Sequence, residues 1–128
     1  MQEITANVSW IAVIVGAVVS FIIGGLWYSP KVFGAKWAEG SGLKDWESGD
    51  VPMSAMVMNF IGLLLMSWFV SVTAANNALL TVILATAAFT VLAMSGGMFI
   101  RQSAYARNAN AGYWIVALVV MVICNGIF

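Results

Sequence analysis

Apolar residues in this chain do not alternate with polar ones. They come in long runs separated by short polar stretches. Four runs reach the roughly 20 residues that an α-helix needs to cross hydrocarbon. They cover about residues 5–28, 52–75, 78–100 and 110–128. Strands of a membrane barrel would alternate apolar and polar positions. A backbone in lipid must satisfy its own hydrogen bonds. The pattern therefore predicts an all-α fold: one transmembrane domain, residues 1–128, built as a four-helix membrane bundle. The first run follows no Lys or Arg and exceeds a signal-peptide apolar core, so it reads as a retained span.

The breaks between runs add detail. Asp50 and Pro52 suit the first turn of the second helix. Asn77, in the short Ala75–Ala78 break, is expected to cap the third helix, and so short a turn makes the second and third helices antiparallel neighbours. The first loop, about residues 29–51, is too long for a plain connector. In its first half Phe33 and Trp37 stand four apart, which predicts a short helix lying at the membrane surface. Its second half carries three glycines and mixed charge and reads as loop.

Composition agrees. The chain is 62% hydrophobic and 8% charged, where a soluble domain carries about 25% charged residues. Its net charge of zero argues against nucleic acid as a partner. It has no histidine and one cysteine, Cys124, so neither a metal cluster nor a disulfide framework nor a cofactor is expected.

Charge also sets orientation. Lys31, Lys36 and Lys44 fall in the first loop, Arg101 and Arg107 in the third. Four spans put those loops on one face, and the positive-inside rule assigns that face to the cytoplasm. The expected location is a membrane crossed several times, with both termini on the side away from the cytoplasm.

Within the spans, Ala12, Gly16, Ser20 and Gly24 recur every four residues. This small-residue stripe lets another helix come close, inside the bundle or between copies. Asn59 and Asn125 are the intramembrane amides, and Asn59, the deeper one, is expected to bond across a helix contact. Gly24-Gly25-Leu26-Trp27 is echoed by Gly96-Gly97-Met98-Phe99. Two related hairpins would produce that echo, and so would chance. No Asp, Glu, Lys or His falls inside any span, and such a group would be the default functional site of a pump or transporter. The acids Glu39, Asp45, Glu47 and Asp50 share one hydrophilic loop and read as solvated. No catalytic residue is assigned, and the chain is expected not to be an enzyme.

The stretch Trp27-Tyr28-Ser29-Pro30, followed by Phe33-Gly34 and Trp37, resembles the signature of the bacterial membrane proteins grouped as domain of unknown function 1761. Asn110-Ala111-Gly112-Tyr113-Trp114 with its apolar tail is similar to that family's last helix. The resemblance implies four membrane helices in a bacterial inner membrane, which puts both termini on the periplasmic side, and supplies no activity. Read as an exit from the membrane, the motif would hold Trp27 and Tyr28 at headgroup level with their polar atoms toward water. Pro30 would end the helix, and Phe33 and Trp37 would anchor the chain on the surface.

The expected function is a non-enzymatic small membrane protein that contacts membrane lipids. It would associate as a homo-oligomer or dock on a larger membrane complex. One alternative is a passive pore for ions or small neutral solutes, which requires Asn59 and several hydroxyls on one face. A second is a lipid-headgroup enzyme, which requires Lys31, Lys36, Trp37 or the loop acids to converge with Arg101 and Arg107.

Overall fold

The helix limits are set by capping chemistry as much as by hydropathy. The computed structural model describes residues 2–29, 32–41 and 53–128. Pro30, Lys31, Lys44, Asp45, Glu47, Asp50 and Pro52 lie outside the described residues. A four-residue helix α1 (Gln2–Thr5) comes first, followed by α2 (Trp10–Trp27) and the short α3 (Gly34–Gly40). Three long helices follow: α4 (Met53–Ala75), α5 (Leu79–Phe99) and α6 (Ala104–Ile127). Of these, α2, α4, α5 and α6 are long and apolar enough to span a bilayer, and the chain is a multi-pass membrane protein with an all-α bundle.

The first span starts later than the apolar run. Asn7 takes a left-handed φ of 60°, and extended Ser9 accepts from the Ala12 N–H to cap α2. The fourth starts earlier. Ser103 caps α6 through the Ala106 N–H, and the polar turn 104–109 that hydropathy left out is helical. Asn77 does not cap α5. It sits at φ 55° just past α4, with Ala78 N–H on Thr73 O and Asn77 N–H on Ala74 O. That is a Schellman closure of the preceding helix, and asparagine tolerates its left-handed position. Arg101, at φ 59°, closes α5 in the same way.

The tight centre is α2 against α4 and α6; α5 docks on α4 and α6 and is the least buried of the four spans. Ala17, Leu63, Val70, Val82, Ala117 and Met121 form the core. Ala12, Gly16, Ser20 and Gly24 are all buried. A Cβ on Gly16 would lie 2.8 Å from Ser67 Oγ and 3.4 Å from Met121 Cγ. The stripe is therefore spent on packing within the bundle. The Gly24 and Gly96 echo is not matched in packing: Gly24 is covered by Tyr113, while nothing among the described residues approaches Gly96.

Each end is tied. At the end holding the chain termini, Trp68 donates from Nε1 to Ile4 O at 2.7 Å and packs at a tilt against Trp10, and the Ser9 N–H donates to Ser71 Oγ at 3.1 Å. At the basic end, the Ser103 N–H donates to Gly40 O at 3.0 Å and Gln102 Nε2 to Ser41 Oγ at 2.8 Å. The first and third loops are thereby joined.

Candidate functional site

Two places gather unusual chemistry: an aromatic cap at the basic end and a cleft between α4, α5 and α6.

The cap is built from both stretches that carry the family resemblance. Trp27, the last residue of α2, donates from Nε1 to Ala109 O at 2.9 Å. Tyr28 donates its hydroxyl to Asn110 Oδ1 at 2.6 Å. Tyr113 donates to Ser20 O at 2.7 Å, closing the group from the α6 side. The rings pack in series. Phe33 lies 4.8 Å from Trp27, Trp37 lies 5.1 Å from Tyr28, and Tyr28 lies 5.6 Å from Tyr113. Offset and edge contacts at these spacings are the favoured aromatic geometries. Gly112 makes room for Trp27, since a Cβ there would stand 3.0 Å from its Cζ2.

This corrects the expectation that the polar atoms of Trp27 and Tyr28 face water. The Trp27 and Tyr28 polar atoms turn inward onto α6, because α6 begins early enough to present Ala109 O and Asn110 to them. Phe33 packs on Trp27 and Trp37 on Tyr28. Ser29 is half-buried, and the Phe33 N–H returns to Trp27 O at 3.2 Å. Gly34 opens α3. Tyr28 lies just past the α2 span. Burial, with Tyr113 adding to it, pushes its hydroxyl above the ordinary tyrosine value, so it stays a donor.

The described cations are dispersed. Lys36 Nζ lies 5.4 Å over the Tyr105 ring, and Arg107 Nη1 donates to Gln102 O at 3.0 Å. Arg101 is exposed at its helix end. Among the described residues no group of three His, Cys, Asp or Glu could hold a metal. What the cap does is mechanical: it clamps the end of α2, all of α3 and the start of α6 into one unit. A Tyr28→Phe, Asn110→Ala double-mutant cycle is expected to show coupling of about 1 kcal/mol in unfolding free energy in detergent. Additive losses would mean the bond carries no stability.

The cleft lies away from the α4–α5 turn, where those two helices are separate and α6 forms the floor. It encloses about 240 Å³. α4 contributes Met58, Asn59, Gly62, Leu63 and Met66; α5 contributes Thr86 and Phe89; α6 contributes Tyr113, Trp114, Ala117 and Leu118. Phe89 meets Trp114 edge-on at 4.9 Å and closes one wall. Thr86 is buried with its hydroxyl unpartnered among the described residues.

Asn59 departs most from expectation. It is exposed, and no group among the described residues bonds its amide. The interhelical bond expected for it is not made within the chain, because α4 turns this face away from α2. Asn125 is satisfied by its own helix, donating to Met121 O at 2.9 Å. The polar residues of the spans do not line one path. Ser67 faces Gly16, Ser71 serves the α2 cap, and Thr73 bonds its own helix. Sequence reasoning did not find the cleft, since its lining is ordinary apolar residues brought together by three helices. Asn59 beside Gly62 was the available signal.

The model of the family described as protein of unknown function (DUF1761) matches residues 11–126. No curated protein and no solved structure matches the chain.

Proposed function

The chain belongs to the DUF1761 family, and we propose that it is a non-enzymatic membrane protein that works by association in the plane of the bilayer, with further copies of itself or as an accessory subunit of a larger membrane complex. The observation that carries this reading is Asn59. It sits six residues past the first residue of α4, about 9 Å along the helix axis. An unpaired amide facing hydrocarbon costs roughly 1–3 kcal/mol, and a neighbouring helix that bonds it recovers that cost. Gly62, one turn further on, has nothing among the described residues within 4 Å of where its Cβ would be, so another backbone fits there. The basic residues favour the aromatic cap in the cytoplasm and both termini outside, and with the family resemblance this suits a bacterial inner membrane.

The other readings draw less support. For a pore, Asn59 and Thr86 share the cleft, but Ser67 and Ser71 are directed to separate helix contacts. For a headgroup enzyme, Lys36 and Arg107 are directed to a ring and a carbonyl rather than to each other. The test is the particle mass in nanodiscs after gentle extraction. A mass of two or more copies, or a stoichiometric companion, is expected. A strict monomer that co-purifies with nothing would refute the proposal.

A further inference from the structure

Building on the association reading, we infer that the partner at the cleft is a second copy of this chain, and that the two copies meet along α4 about a two-fold axis parallel to the membrane normal, Asn59 against Asn59.

Three observations converge. First, the amide is self-complementary. It carries donors and an acceptor, so two facing copies form a reciprocal pair of N–H···O bonds. A lipid tail offers neither donor nor acceptor. Second, copies inserted by one mechanism share orientation and depth, so a two-fold axis along the normal sets a residue near that axis against its own copy at the same level. Third, the exposed side of α4 carries a seam at the matching spacing. Ala55, Asn59, Gly62, Met66 and Phe69 recur at four, three, four and three residues. All are exposed except half-buried Met66. That is the spacing of a left-handed helix pair. The open position at Gly62 lets the backbones approach closely enough for short amide side chains to meet. A single polar pair in such a seam also selects one register.

The test is oxidative cross-linking in native membranes. The buried native thiol is first removed by Cys124→Ala. Asn59→Cys is then expected to form a disulfide-linked dimer. Ile22→Cys on α2 and Leu84→Cys on α5, both also exposed, are expected to stay monomeric. In parallel, the dimer dissociation constant in nanodiscs or mixed detergent is expected to rise about tenfold for Asn59→Val and to stay near the parent value for Asn59→Gln. Both substitutions are at an exposed position, and unchanged thermal unfolding of the monomer at high detergent checks that. A multimer by mass that cross-links at Ile22 or Leu84 but not at Asn59 overturns this interface and leaves the association reading standing. A multimer indifferent to Asn59→Val does the same. A monomer that binds a foreign protein or only lipid at the cleft overturns the second copy as occupant, and a monomer with no companion removes the association reading too.

Discussion

Gly40→Val is expected to undock α3 from α6. A Cβ at Gly40 would fall on the Ser103 hydroxyl, 2.8 Å from Ser103 Cβ and 3.2 Å from Ala106 Cβ. Ser103 cannot swing away at little cost. Its Oγ accepts from the Ala106 N–H at 3.1 Å to cap α6, and its own N–H donates to Gly40 O at 3.0 Å. The substitution thus sets overpacking against a helix cap and an interloop hydrogen bond together. The expected loss is about 2–4 kcal/mol of unfolding free energy, read by denaturant titration in detergent. The cap should open locally as well. Trypsin cleavage at Lys36 is expected to accelerate in folded protein, because the chain on either side is no longer held to α6. A variant as resistant as the parent would show that Gly40 is not a close-approach point.

Gly24→Ala is expected to displace Tyr113. The added methyl would stand 2.7 Å from the Tyr113 hydroxyl and 3.0 Å from its Cζ. The ring must tilt, breaking its 2.7 Å bond to Ser20 O and loosening its contacts with Trp27 and Tyr28. A loss of about 1–3 kcal/mol is expected. Tyr113→Phe removes the atom nearest the intruding methyl, so the double variant should lose less than the sum of the two single losses. Strict additivity would mean that the methyl and the hydroxyl do not compete for space.

These two glycines show how much the sequence discloses. Gly24 was legible as a packing position from its four-residue spacing with Ala12, Gly16 and Ser20, since small residues at one helix face have few other uses in a membrane. Gly40 was not legible. Its role depends on Ser103, 63 residues away, through contacts that no local pattern encodes. The aromatic motif lay between these cases. Its residues stood out at once, yet their polar atoms were expected to face water. The early start of α6, unseen by hydropathy because Arg107 and Asn108 interrupt it, supplies the acceptors that turn them inward.

By itself the sequence determined the solvent, the helix class, the number of spans and, through that number, the shared face of the two basic loops. Each of these follows from summed local properties: transfer of about 20 apolar residues, backbone self-satisfaction, and the loop positions of five basic residues. Which helix face packs and which meets lipid was decided only by tertiary structure. In a bilayer both faces are apolar, so the periodicity that marks a buried face in a soluble protein is lost. Only contact between helices distinguishes Ser67 held against Gly16 from Asn59 left facing outward. It also joins the end of α2, the short α3 and the start of α6 into the one cap at the basic end.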